Sequence, residues 1–245
     1  MIRVGVIGED AQPHVEAFVS LGCEVVRGPI EEMLPKVDAV VVASDPDERF
    51  HHTALALEHD LDVLVEQPVA PTAENAWMLE RIATLRPAQP VVQVSQPYAF
   101  DAALAPLAEM QLVALEIRRR GDAPLECDLH TLLALARSPL VRLQATGHGD
   151  HTVATVVFES GLIATLSSGR FGPDACTVRA ESAETSMVAD LAPAFVAQAD
   201  SFVAAIRDRS RPRVTLRDAI ACMDAAAGIR ECLAVQAAAS GSGVL

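Results

Sequence analysis

Aromatic side chains are scarce in this chain of 245 residues: one Trp, one Tyr and seven Phe, 4% in all. With 51% of residues apolar, the core must be built from Ala, Val and Leu. No apolar run approaches the ~20 residues of a membrane span, so no membrane partner is expected. The opening residues, MIRVGVIG, read as a strand and lack the basic head and long apolar centre of a signal peptide. Basic residues number 19 against 33 acidic ones, and the net charge of −14 with a pI near 4.8 argues against nucleic acid or an anionic surface as partner. Cysteine is sparse and scattered (Cys23, Cys127, Cys176, Cys222 and Cys232), with no CxxC or Cys/His spacing of a metal site. An odd, dispersed set predicts reduced, mostly buried thiols in a cytoplasmic protein. No internal repeat is present.

The most informative stretch runs from Val37 to Ala70. Two short apolar runs, Asp38–Ala43 and Asp62–Val65, flank a segment with helical spacing, which is the pattern of a parallel βαβ unit. The strands end in polar loops, Ser44-Asp45-Pro46 and Glu66-Gln67-Pro68. Ligands bind at the carboxyl ends of strands in an open parallel sheet, so these loops mark a place as well as a fold. Around them, Ile2–Ile7, Cys23–Arg27 and Val91–Ser95 read as strands. Pro13–Ser20, Ile30–Leu34 and Thr72–Leu85 read as helices. Beyond Pro97 the pattern changes: Leu112–Arg119, Val141–Thr146, His151–Glu159, Leu162–Ser167, Cys176–Ala180 and Thr185–Asp190 are strand-like, with a turn at Ser160-Gly161. Cys127–Ala136, Pro193–Arg207 and Leu216–Gln236 are helical, the last with Thr215 as N-cap. The expected architecture is α/β: a truncated Rossmann-like doubly wound parallel sheet over 1–97, then an α+β domain with a mainly antiparallel sheet over 98–245.

In order and spacing these segments resemble the Gfo/Idh/MocA family of glucose–fructose oxidoreductase and inositol dehydrogenase. The family's apolar strand ending in Ala-Thr-Pro corresponds to the run at Ser44, and its Glu-Lys-Pro signature to Glu66-Gln67-Pro68. VVFESGLIATLSSG resembles its sheet hairpin, and FVAAIRDRSRPRVTLRDAIACMDAAAGIRECL its closing helices. The resemblance implies NAD or NADP as cofactor, with Gly8, Ser44, Asp45, Pro46, Glu66 and Pro68 in its binding region. It also implies a sugar-like small-molecule substrate and a homodimer or larger homo-oligomer formed through the outer sheet face. The family motif Asp-x-Gly-x-His corresponds to Glu126-Cys127-Asp128-Leu129-His130. On that basis His130 is the catalytic acid/base, Glu126 orients it from one helical turn away, and Gln67 positions the hydroxyl.

The chain also departs from the family pattern. A dinucleotide fingerprint needs three glycines; here Gly8 is followed by Glu9-Asp10-Ala11-Gln12-Pro13, with the later two absent. A strand–helix piece that normally carries the ribose-binding acid is missing between the first helix and Asp38. Glu24 and Glu31 stand as substitutes that spacing does not separate. Gln67 replaces a lysine, and an amide donates hydrogen bonds but holds no proton that titrates near neutrality. Three functions follow: hydride transfer between NAD(P) and a sugar, cyclitol or related hydroxyl compound; a catalytically silent relative that binds a small molecule or pairs with an active homologue; or a different reaction in the same crevice, such as an elimination without bound nicotinamide. Other residues read more plainly. His51-His52 is a helix-start surface pair, and His148 and His151 flank a turn. Arg118-Arg119-Arg120 is a solvated strand end or an anion contact, and Trp77 and Tyr98 are packing residues.

Overall fold

The computed structural model describes residues 1–9, 11–110, 112–121, 125–169, 175–180, 183–187 and 191–241. β1 (Arg3–Ile7) leads into α1 (Gln12–Ser20), β2 (Glu24–Arg27) and the short α2 (Ile30–Met33), with a 3-10 turn at Leu34–Lys36. β3 (Ala39–Val42), α3 (Pro46–Glu58), β4 (Asp62–Val65), α4 (Ala73–Leu85) and β5 (Val92–Val94) complete the first hundred residues. All strand pairs are parallel, in the order β2-β1-β3-β4-β5. β3 and β4 are buried at every position, as the continuous apolar runs required of strands covered on both faces. A doubly wound sheet with strand order 3-2-1-4-5-6 has two strands outside the first; here β2 alone flanks β1. The strand–helix piece missing from the sequence is thus a missing edge strand.

The second sheet starts after two 3-10 turns and the short α5 (Ala105–Glu109). β6 (Ala114–Arg120), α6 (Leu125–Ala136), β7 (Leu140–His148), β8 (His151–Phe158), β9 (Ile163–Gly169), β10 (Ala175–Ala180) and β11 (Ala183–Met187) follow. The order is β11-β10-β6-β9-β8-β7, antiparallel except for the parallel pair β6–β9. Gly149 and Gly161, both with positive φ, make the two hairpin turns. Alternation sets the faces: Leu115, Ile117, Ala154, Val156 and Leu166 are buried with Leu129 and Leu132 of α6, while Val141 and Ile163 are exposed. The expected strand at Thr185–Asp190 extends past Met187 into residues outside the described set.

Two long helices close the chain, α7 (Ala192–Asp208) and α8 (Leu216–Gly241), and the Thr215 hydroxyl and Asp218 carboxylate form a reciprocal cap at the start of α8. Two compact units result: Met1–Phe100 with Leu191–Ala221, and Asp101–Asp190 with Cys222–Leu245. The first unit therefore takes residues from both sides of the 97/98 division read from the sequence. The physical reason lies in α7. Its Phe202 is fully buried and meets Phe18 of α1 edge-to-face at 6.3 Å, within the cluster that holds Val4, Val6, Ala39, Val41 and Leu64. Gln198 fixes the same helix to the end of β5. Its side chain accepts from the Gln96 amide (2.6 Å) and donates to Ser95 Oγ (3.1 Å), while its carbonyl accepts from Gln93 (3.1 Å).

Two packing expectations need correction. Trp77 lies on the outer face of α4 and is 51% exposed. Of the four described cysteines, all free thiols, Cys222 alone is buried and Cys23, Cys127 and Cys232 are half-buried.

Candidate functional site

The carboxyl ends of β1, β3 and β4 gather several polar side chains of the first unit. Gly8 ends β1 with φ +119°, and a Cβ there would stand 2.0 Å from the Ala43 carbonyl oxygen. The β1–α1 turn thus crosses the tip of β3 backbone against backbone, which only glycine permits. Gly8→Ala is expected to cost about 1–3 kcal/mol of stability, read as a lower urea midpoint at unchanged slope; an unchanged midpoint would contradict the close crossing.

Ser44, at the tip of β3, is buried, and its hydroxyl lies 2.9 Å from His52 Nδ1. Asp45 and Pro46 open α3 and are exposed; Asp45 occupies the N-cap position without a side-chain capping bond. Arg49, on the next turn, is buried and folds back over the strand ends. It donates from Nε (3.1 Å) and Nη2 (2.5 Å) to the Ser44 carbonyl and from Nη1 (2.8 Å) to the Pro68 carbonyl. Burial pulls its pKa below the usual arginine value, while Glu66 and Asp45 hold the charge in place. Glu66, at the tip of β4, lies 2.9 Å from His14 Nε2 and 3.9 Å from Arg49 Nη2. His14 belongs to the first turn of α1, is buried, and meets Phe195 of α7 edge-on at 5.0 Å. Gln67 and Pro68 are half-buried and joined by a cis peptide bond.

Glu66, Ser44 and Pro68 are therefore held by Arg49, His14 and His52. Sequence reading passed over Arg49 and His14, and treated His52 as surface. The available signal was electrostatic: a basic side chain near a helix N-terminus opposes the macrodipole, so Arg49 and His14 needed a local anion or carbonyl to justify their positions. Lysine chemistry is absent here for a simple reason. The chain has one lysine, Lys36, and it precedes β3 at the amino-terminal edge of the sheet.

The second unit carries the other predicted residues on α6. Glu126 is buried, but its carboxylate is ion-paired with Arg230 of α8 at 2.5 Å. Beside its expected role toward His130, Glu126 thus ties α6 to α8. Asp128, in place of the family glycine, is fully buried and paired in a fork with Arg119 of β6 at 2.5–3.2 Å. This corrects the reading of Arg118-Arg119-Arg120 as one solvated group. Arg118 and Arg120 face water, with Arg118 on Glu116 (2.8 Å), while the strand turns Arg119 inward. His130 is 3% exposed. His148 and His151 are opposed across the β7–β8 hairpin. Among the described residues no cluster of three or more His, Cys, Asp or Glu is arranged to hold a metal ion.

A dinucleotide can be tested against these residues. The Gly8 turn keeps the tight crossing that the fingerprint requires. Ala11, the N-cap residue of α1, makes no side-chain capping bond, so the first turn can offer amides to a phosphate, although Pro13 removes one donor. Glu24 begins β2, at the end away from the strand tips, whereas Arg27 ends it and reaches the Gly8 carbonyl at 3.4 Å. The residues fit a dinucleotide with fewer pyrophosphate donors than the full fingerprint supplies. A separate open cleft of about 440 Å³ lies where β5 begins, lined by Glu80, Thr84, Arg211 and Arg217 among others; Arg217 is paired with Glu80 at 2.6 Å.

Comparisons with known proteins agree with this architecture. Residues 3–95 match the Gfo/Idh/MocA family, described as an oxidoreductase family with an NAD-binding Rossmann fold. No curated protein sequence matches. Among solved structures, a probable dehydrogenase from Thermotoga maritima superposes with TM-score 0.83 at 14% identity, over 96% of this chain and 97% of that one. The scyllo-inositol dehydrogenase from Lactobacillus casei, solved with NAD(H) and scyllo-inositol, gives 0.81 at 14% identity over 96% and 98%. The UDP-N-acetylglucosamine 3-dehydrogenase GnnA from Acidithiobacillus ferrooxidans gives 0.80 at 17% identity over 95% and 97%. At these identities the structures establish a shared fold. Residues 3–95 thus resemble the NAD-binding Rossmann part of the Gfo/Idh/MocA family, and the fold of the solved dehydrogenases extends across nearly the whole chain.

Proposed function

We propose that this protein is an NAD(P)-dependent oxidoreductase acting on the secondary hydroxyl of a sugar, cyclitol or related compound. The observation that carries the reading is the Gly8 turn against an uncapped α1, inside the stretch that matches an NAD-binding oxidoreductase family. The names of the neighbours, which act on scyllo-inositol and UDP-N-acetylglucosamine, support a hydroxyl-bearing ring as substrate class. Bound NAD(P)⁺ supplies the hydride acceptor. His130 accepts the hydroxyl proton as the C–H bond breaks and the carbonyl forms, and in the reverse direction returns it. Gln67 donates its amide to a ligand oxygen and moves no proton. Glu126 and Arg230 hold α6, and so the imidazole, in register. Ser44, Asp45, Pro46, Glu66 and Pro68 shape the cofactor side. We place the protein in the cytoplasm as a homodimer or larger homo-oligomer; no described helix is long and apolar enough to cross a membrane.

Gln67, together with the remote position of Lys36, favours a second reading, a non-catalytic relative. One series of measurements separates the two. Titration with NADH and NADPH, followed by fluorescence and melting temperature, is expected to saturate. Turnover on a panel of inositols and sugars is then expected to fall by about 10²–10⁴-fold in His130→Ala. Saturable binding with no turnover, and no response to His130→Ala or Gln67→Lys, would leave the non-catalytic relative.

A further inference from the structure

We infer that the dinucleotide this protein takes is the phosphorylated one, NADP(H), with Arg27 receiving its 2′-phosphate. The inference rests on the dinucleotide-dependent reading above and extends it to the adenosine end. In a doubly wound fold the strand beside the first one ends at the adenosine ribose. A carboxylate there binds the 2′-hydroxyl, and an arginine accommodates a 2′-phosphate.

Here that strand is β2, paired in parallel with β1 so that Arg27 stands opposite Val6. The residues at its tip are Arg27, Gly28 and Pro29, with no acid among them. The exposed Arg27 guanidinium leans over the β1–α1 turn, 3.4 Å from the Gly8 carbonyl. The two substitute acids from the sequence occupy other places. Glu24 is at the opposite end of β2, and Glu31 lies on α2 beyond the turn, exposed.

The missing edge strand strengthens the argument. β2 is the outermost strand of its sheet, so the Arg27 side chain borders water on its outer flank. A doubly charged, strongly hydrated phosphate keeps part of its solvation there while meeting the planar fork of the guanidinium. In a chain of net charge −14, a cation at this one tip is a directed feature and not part of a general basic surface.

The test uses the full chain. NADPH and NADH are titrated by cofactor fluorescence and by calorimetry. Adenosine 2′,5′-bisphosphate and 5′-AMP are titrated as fragments that bypass the nicotinamide. The expected result is NADPH at least ~10-fold tighter than NADH, and the bisphosphate tighter than 5′-AMP by a similar factor. Arg27→Ala should erase both preferences at an unchanged melting temperature, since the side chain is exposed. Equal or tighter binding of NADH, or a preference that survives Arg27→Ala, overturns the inference and leaves the oxidoreductase reading in place. Failure of every one of these molecules to bind overturns both.

Discussion

Replacing Asp128 by alanine is expected to lower the free energy of unfolding by about 3–5 kcal/mol. Asp128 is fully buried on α6, and Arg119 on β6 has a side-chain exposure of 1%. Both charges have left water, so their mutual attraction and hydrogen bonds offset a large desolvation cost. Removing one partner leaves the other charge buried without this counter-ion, and that is the source of the size. The complementary experiment is Arg119→Met with Asp128→Leu. Replacing both partners by apolar groups of similar volume removes both buried charges, and the double variant should recover most of the loss. Urea unfolding of the three variants reads the outcome. A loss under 1 kcal/mol in Asp128→Ala would mean that water reaches the pair and that α6 is not anchored by it.

Arg49→Ala is the second large effect, expected at about 2–4 kcal/mol. The side chain ties the Ser44 and Pro68 carbonyls together and gives Glu66 a neighbouring cation. Truncation leaves these groups short of donors at the strand tips. Arg49→Lys should recover less than half, because an ammonium cannot supply the spread of N–H directions of the guanidinium fork. Hydrogen exchange adds a local readout: the amides at 44–49 and 66–69 should lose protection before those of β1. If exchange rises uniformly instead, the role of Arg49 is general packing and not organisation of the crevice.

Most of the parallel sheet was legible because its strands are buried on both faces and therefore read as uninterrupted Val runs. The same was true of the Gly161 hairpin, where a turn residue separates two alternating strands. The middle arginine of 118–120 was legible in principle. Strand alternation sends Arg119 opposite to its neighbours, and a buried arginine must find a carboxylate, here Asp128. It was missed because three like residues in a row read as one surface group. Arg49, His14 and His52 were missed for a different reason. Ser44 lies only five and eight residues from Arg49 and His52, but Pro68 and Glu66 are brought to Arg49 and His14 by the return of the chain through the sheet, and local spacing carries no record of that. The pairing of Glu126 with Arg230 was not legible because the two lie 104 residues apart, and helical spacing to His130 was the only visible relation. The assignment of α7 to the first unit was likewise invisible to a division by position, since its decisive contacts are Phe202 with Phe18 and Gln198 with the end of β5.

The placement of the sole lysine has a chemical consequence. Both primary amines in the described chain, Lys36 and the amino group of Met1, lie at the amino-terminal edge of the parallel sheet. In the proposed reaction, a ketone or aldehyde generated at the opposite edge would meet, among the described residues of that sheet, no primary amine that condenses with it to an imine. Borohydride would reduce such a product in solution without stapling it to the protein.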